Sequence, residues 1–382
     1  MEFHYQHALL PDDNKALGDI NGASARLCGK LNNIDISRLE VSDAGKKYFS
    51  DQVRNIRSTL RNFSYILSWS IAYSDVPYDK FVFIDHGGGV GILSLLAKEL
   101  GIGTVIYNDL WPPYHKDAQI IAQAIKEKPA DHYVLGDIDE LVDFLKTNSI
   151  SCNALASYDV IEHIYDIETF LVRLSNLSVG PLTIVMACSA NPFNPLIKRH
   201  HMNFQRKAEY GGREKKQGCR EDYLTKAYLI VRQEIISEYA PSIPDAEVRR
   251  LAKATRGLIE PDIKEVVDEY LKTGSIPREP EHPTNTVNPY TGNWAERLHD
   301  INHLREILTN EGFKVDILAG YYANSKNYHP LKRFMGIVLN PMIRMLKDKG
   351  LFFAPFYTIY ARKGESLSYQ CHQRIECHYE KG

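Results

Sequence analysis

An acid followed by alternating glycines, Asp85-His86-Gly87-Gly88-Gly89-Val90-Gly91, stands between an apolar run, Phe81-Val-Phe-Ile84, and a helix-like stretch that ends at Gly101. The chemistry open to such a loop is recognition through the main chain. Glycine turns the backbone with φ > 0, and without a Cβ it lets a ligand approach amide groups directly. The segment therefore reads as a nucleotide-type cofactor loop. The dinucleotide fingerprint Gly-x-Gly-x-x-Gly would need its third glycine at position 92, which is Ile92, whereas Asp-x-Gly-x-Gly-x-Gly is complete. A glycine-rich turn between strand and helix also arises for structural reasons alone, so the loop by itself leaves both readings open.

Two further acids follow at strand ends. Thr104-Val-Ile-Tyr-Asn-Asp109 is a β-branched run closed by a carboxylate that can accept both hydroxyls of a ribose. A nicotinamide enzyme uses such an acid as well. Asp131-His-Tyr-Val-Leu-Gly136-Asp137 is a shorter run, and Asp137 stands where it can cap a helix starting at Ile138. Proton-transfer chemistry would fall to histidines, whose pKa lies near neutrality. His163 follows Asp159-Val-Ile-Glu162. His200 and His201 follow Lys198 and Arg199 in a segment beginning Asn191-Pro-Phe-Asn-Pro. Each of these histidines reads either as a base or as part of a solvated surface, the second pair in a hydrated loop.

Taken in order, four blocks resemble the class I S-adenosylmethionine-dependent methyltransferases. The fourth, Asn153-Ala-Leu-Ala-Ser-Tyr158-Asp159-Val-Ile-Glu162-His163-Ile, is similar to the post-strand-four motif of the ubiquinone-biosynthesis O-methyltransferase branch. Asp300-Ile-Asn-His-Leu-Arg-Glu-Ile-Leu-Thr-Asn-Glu-Gly312-Phe313 resembles that family's last helix and its approach to strand six, and Phe356-Tyr-Thr-Ile-Tyr-Ala-Arg-Lys363 its closing strand seven. The likeness runs over about 81–190 and 298–364. It implies S-adenosylmethionine as the methyl donor and no metal. Asp85, Gly87, Gly88, Gly89 and Gly91 would shape the methionine end of the site, Asp109 would bind the ribose, Leu110 would be a further cofactor contact, and Asp137 with Ile138 would border adenine. Tyr158 and Asp159 would line the pocket beside the sulfonium. The expected reaction is O-methylation of a small-molecule or sugar-like acceptor. A non-catalytic S-adenosylmethionine-binding protein and a nicotinamide oxidoreductase are the alternatives.

The elements that must position these residues follow from periodicity. Expected is a doubly wound α/β fold, a seven-stranded Rossmann-like sheet with an N-terminal helical extension over 1–80 and core segments at 81–190 and 298–364. An inserted helical cap spans 191–297 and a polar tail 365–382. Phe49, Val53, Ile56, Leu60, Phe63 and Leu67 recur in steps of four and three, as on one stripe of a single helix, with Arg54, Arg57 and Arg61 off it. In the insertion, 222–239, 244–255 and 262–271 read as helices, with Gly257 and Pro261 separating the last two. Tyr210-Gly-Gly-Arg-Glu-Lys-Lys-Gln-Gly218 reads as a polar turn. An insertion after strand five emerges on the carboxyl side of the sheet, where ligands of such folds bind.

Composition bounds the partners. The 382 residues are 44% hydrophobic and 25% charged with a net charge of −2, ordinary globular values that attract no polyanion globally, so no nucleic acid is expected. Six scattered cysteines and no signal-peptide pattern point to a reducing cytoplasm. Phe334 to Leu346, broken by Asn340, Pro341 and Arg344, is too interrupted to span a bilayer. It reads as a lid or dimer helix, with peripheral membrane contact as the other possibility; the oligomeric state stays open. Cys371, His372, Cys377 and His378 cluster in the tail without the paired spacing of a structural zinc site.

Overall fold

The computed structural model describes residues 10–11, 16–212, 224–322 and 330–364; the four tail residues Cys371, His372, Cys377 and His378 and most of the 210–218 turn lie outside them. Two compact units emerge. One comprises Met1–Val160, Glu168–Ser189 and Ile301–Gly382; the other comprises Ile161–Ile167 and Ala190–Asp300.

The first unit begins with helices α1 (Leu17–Asn32), α2 (Asp43–Arg54) and α3 (Ile56–Ile71). The single helix expected from the apolar stripe is two, because Asn55 leaves helical geometry at φ −107°, ψ 23°. The stripe survives the break, since Phe49, Ile56, Leu60, Phe63 and Leu67 are all buried. Ser42 ties the start of α2 to Asp117 through both its N–H (2.9 Å) and its hydroxyl (2.6 Å).

Strands and helices then alternate: β1 (Val82–His86), α4 (Ile92–Leu100), β2 (Thr104–Asp109), α5 (Pro112–Ala124), β3 (His132–Leu135), α6 (Ile138–Thr147), β4 (Ala154–Tyr158), α7 (Ile167–Leu174) and β5 (Leu182–Cys188). Apolar runs of four to seven residues between turn signals can only be stable when covered on both faces, which is the condition of parallel strands. Phe83, Ile84, Val105, Ile106, Leu155, Ala156, Ile184 and Val185 are accordingly almost without exposed surface.

The second unit carries α8 (Pro195–Arg206), α9 (Tyr228–Tyr239), α10 (Asp245–Ala254) and α11 (Glu260–Thr273). Three boundaries differ from the sequence reading. His200 and His201 lie on α8 and not in a loop: Asn194 caps it by accepting from Leu196 N–H (3.0 Å) and Ile197 N–H (3.3 Å), and Pro195 fits the first turn. Residues 224–227 precede α9 and are not helical. Pro261 does not separate helices but sits in the first turn of α11, where a missing N–H costs nothing. Val231, Ile235, Val248, Leu251, Ile263 and Val267 pack the three helices together. The buried Arg232 donates to the Ala252 carbonyl (2.8 Å) and pairs with Glu209.

The chain returns to the first unit through α12 (Ile301–Asn310), β6 (Lys314–Ala319), α13 (Pro330–Leu346) and β7 (Tyr357–Lys363). Sheet order is β3-β2-β1-β4-β5-β7-β6, with β7 antiparallel to both of its neighbours and the other strands parallel. Phe334, Ile337, Val338 and Met345 of α13 are exposed. No helix among the described residues is long and apolar enough to cross a membrane.

Candidate functional site

The glycine loop is held from below by its own strands. Gly87 and Gly88 both donate to the Asn108 carbonyl (2.8 and 3.1 Å), so the turn rests on the end of β2. Asn108 is itself fixed: its amide donates to the Val134 and Gly136 carbonyls, and its oxygen meets His86 Nδ1 at 2.6 Å. Gly87, Gly89 and Gly91 all have positive φ, at 66°, 55° and 80°. At Gly89 the space is closed as well as the angle, because a Cβ built there would lie 2.9 Å from the ring of Tyr48. The loop's amide and carbonyl at that residue are both engaged. Gly89 N–H donates to Asp109 Oδ2 (2.9 Å), and the buried Tyr107 hydroxyl donates to its carbonyl (2.6 Å).

Asp109 thus joins the loop that precedes it by 20 residues, and its other oxygen accepts from Trp111 N–H (2.8 Å). Leu110 beside it is 65% exposed, an apolar side chain presented at the carboxyl end of β2. Tyr48, stacked on Tyr114 at 5.6 Å, is brought to the loop from α2. Nothing in the spacing of the N-terminal segment singled Tyr48 out for this place. Tyr107 and Asn108 belong to no motif either, although their position just before the terminal acid of β2 is a signal present in the sequence.

Asp85 has a different task from its neighbours. It is buried and accepts from both Ser94 N–H (2.9 Å) and Ser94 Oγ (2.7 Å), supplying the first turn of α4 with the acceptor that glycine at the N-cap lacks. Burial raises its pKa to about 6, against the lowering effect of the two bonds from Ser94. A folded-state pKa above the unfolded value near 4 means that the fold binds more protons than the unfolded chain between the two, so stability is lost as pH rises from about 4 through about 6. We expect Asp85→Asn, which retains an acceptor oxygen, to remove this slope. The loss of unfolding free energy that Asp85 causes between pH 4 and pH 7, about 2 kcal/mol, should be absent from the variant. Urea titration at both pH values checks it, and parallel slopes would contradict the assignment.

Asp137 is the N-cap of α6 in a reciprocal capping box: it accepts from Asp139 N–H (2.8 Å), and Glu140 accepts from Asp137 N–H (2.9 Å). Ile138 is buried behind it. At the end of β4, the Tyr158 hydroxyl accepts from the Asn62 amide (2.9 Å), whose oxygen accepts from Tyr321 (3.0 Å), so Asn62 links the two tyrosines. Asp159 takes φ +53°, an uncommon conformation for a non-glycine residue, and accepts from Ser189 N–H at 2.9 Å.

In the second unit the fold gathers residues far apart in sequence. His163 Nδ1 meets the Trp294 carbonyl at 3.0 Å, across 131 residues, and His163 Nε2 lies 4.0 Å from Glu296 Oε1. His201 is buried on α8, with Nδ1 3.9 Å from the other Glu296 oxygen. Two of the three sequence-derived histidines therefore converge on Glu296, a residue that no motif marked. His200 is exposed, and its ring meets that of His201 edge-on at 5.5 Å.

A mixed seven-stranded sheet with helices on its faces, a glycine turn after β1 and an acid closing β2 defines a doubly wound, Rossmann-like α/β protein whose glycine loop stands at the carboxyl ends of its parallel strands. No family model matches the chain, and no curated protein matches it in sequence. Among solved structures it is similar to the magnesium protoporphyrin IX methyltransferase from Synechocystis PCC 6803 with bound S-adenosylhomocysteine, at 13% identity over 82% of this chain and 87% of that one, TM-score 0.37. It is also similar to a chain of the complex between the Haloferax volcanii Trm112 methyltransferase activator and a protein assigned as a methyltransferase, at 12% identity over 85% of this chain and 100% of that one, TM-score 0.39. Likeness to the N-terminal domain of EvdMO1 with bound S-adenosylhomocysteine covers 28% of this chain and 43% of that one, at 11% identity and TM-score 0.24. At such identities and scores the functional reading rests on this chain's own residues.

Proposed function

We propose that the chain is an S-adenosylmethionine-dependent methyltransferase that methylates an oxygen of a small-molecule or sugar-like acceptor. The observation that carries the reading is the loop itself: glycines at 87, 89 and 91 with positive φ, locked by Gly89 N–H to Asp109. Sheet order supports it against the nicotinamide alternative. Dinucleotide enzymes use a parallel sheet ordered 3-2-1-4-5-6 and a Gly-x-Gly-x-x-Gly turn, whereas here an antiparallel β7 stands between β5 and β6 and Ile92 occupies the third glycine position.

The residues present fit such a donor. Asp109 offers the carboxylate for a ribose, Leu110 an exposed apolar face for adenine, and the glycine turn a backbone without Cβ atoms. Bound there, S-adenosylmethionine supplies an electrophilic sulfonium methyl. Its transfer to an acceptor oxygen would be an in-line displacement, for which this chain's residues would align the acceptor and receive its proton. Placement carries much of the rate, and a base adds to it. In this proposal Asp85 and Asn108 hold the loop, while Asp137 and Ile138 lie at the adenine side and Tyr158 and Asp159 beside the methyl. The segment 191–297, which leaves the sheet after the carboxyl end of β5, supplies the acceptor contacts. His201, His200 or His163 takes the proton, and Lys198 or Arg199 holds an acidic group.

Asp109→Ala is expected to weaken S-adenosylmethionine binding tenfold or more, roughly 1.5–3 kcal/mol, since a charge-assisted bond and the Gly89 anchor are lost together. Calorimetric titration measures it; unchanged affinity in a folded variant removes Asp109 from the site. The reading as a whole is tested by incubating the protein with S-adenosylmethionine and a cell extract as acceptor source. Release of S-adenosylhomocysteine supports catalysis, binding without release leaves a non-catalytic binding protein, and tighter binding of NAD returns the nicotinamide reading.

A further inference from the structure

We propose that the second unit holds a divalent transition-metal site formed by Glu162, His163 and Glu296. The donor atoms of these three residues lie within 4.8 Å of one another. Bond lengths of about 2.0–2.2 Å to oxygen and nitrogen ligands set ligand–ligand separations of roughly 3–3.5 Å, so small side-chain rotations close the set. Three protein ligands leave positions for water or a ligand oxygen, the arrangement of reactive sites as opposed to closed structural ones.

Three observations beyond proximity select a cation. First, His163 is oriented as a ligand. The Trp294 carbonyl can only accept, so at 3.0 Å it requires the proton on Nδ1, and the neutral ring then turns the lone pair of Nε2 toward Glu296. A backbone carbonyl on the far nitrogen is the arrangement that fixes the tautomer of metal-binding histidines. Second, the two segments bearing the ligands are laced together through the main chain: Arg297 N–H donates to the Glu162 carbonyl (3.1 Å) and Trp294 N–H to that of His163 (3.4 Å). Within that lacing Glu296 takes φ +56°, a left-handed conformation uncommon for glutamate that the neighbouring bonds impose. Third, Glu162 is fully buried and the Glu296 carboxylate stands close by, so a divalent charge relieves the repulsion of two carboxylates in a low-dielectric setting.

His201 supports the set from outside it. With Nδ1 3.9 Å from Glu296 Oε2, it stands beside the carboxylate oxygen not facing His163. The Arg297 guanidinium lies over the Trp294 ring at 4.3 Å and reaches the Tyr165 carbonyl. One imidazole and two carboxylates suit Mn²⁺ or Zn²⁺ better than a soft cation, for which thiolates would be expected.

The test uses the full chain after EDTA treatment, titrated calorimetrically with MnCl₂ and ZnCl₂. Because the tail carries Cys371, His372, Cys377 and His378, the same titration is made on a chain with Cys371→Ser, His372→Ala, Cys377→Ser and His378→Ala. We expect one equivalent of metal bound in both, and at least tenfold weaker binding in Glu296→Gln, Glu162→Gln and His163→Ala. Metal should raise the melting temperature of the unsubstituted chain and not that of Glu296→Gln, a readout that separates lost binding from lost folding. Retained stoichiometric binding in all three ligand variants, or binding that disappears with the tail substitutions alone, overturns the site. S-adenosylmethionine affinity, measured on the same samples, reports on the methyltransferase proposal separately.

Discussion

Gly89→Val should abolish S-adenosylmethionine binding, with affinity reduced beyond a hundredfold. Two independent penalties fall on the one residue. Valine at φ +55° enters a region that β-branched residues avoid, and its Cβ would meet the Tyr48 ring at 2.9 Å. Relief of either strain moves the amide and carbonyl that Asp109 and Tyr107 hold, so the turn opens as the ring is displaced. Since the sheet is packed by side chains on β1, β2 and β4 and not by this loop, the variant should stay folded by circular dichroism and melt cooperatively. Near-normal titration with the donor would show the loop to be architectural only.

A second large effect is expected at α8. His201→Ala should lower turnover by roughly 10²–10⁴ and remove the acidic limb of the pH–rate profile, leaving donor affinity nearly unchanged. The sign follows from the role: a base works only when deprotonated, so rate rises with pH through its pKa, and an enzyme without that base lacks the rise. His201 is the stronger of the adjacent pair because it is buried against Glu296 while His200 is exposed. Equal losses of donor binding and turnover would refute a division between a donor-binding core and an acceptor-binding insertion. Full activity in His201→Ala and His200→Ala alike would leave positioning alone as the source of rate.

Legibility differed between the two units for a physical reason. Along the first, each candidate position lies at or just after a strand end: the glycines after β1, Asp109 closing β2, Asp137 before α6. Such residues are visible because the apolar period that makes the strand ends where they begin. The role of Asp85 was not visible in the same way, since an acid before a glycine turn looks alike whether it faces a ligand or, as its bonds to Ser94 show, caps the following helix. The break at Asn55 was hidden as well. A stripe of buried residues continues across two helices when both lie on the same core, and the period alone then reports one.

By itself the sequence determined the alternation of strands and helices, the turn chemistry after β1 and the strand-terminal acids, all of which depend on residues within one or two elements of each other. Only the tertiary structure decided that His163, His201 and Glu296 belong together. Glu296 stands in a proline-rich return loop, far along the chain from both His163 and His201, and its left-handed backbone and the bonds from Trp294 and Arg297 exist only once that loop is laid against the turn after β4. Local propensity acts over a few residues, whereas a constellation drawn from three distant segments is set by packing, and packing leaves no period in the chain to read.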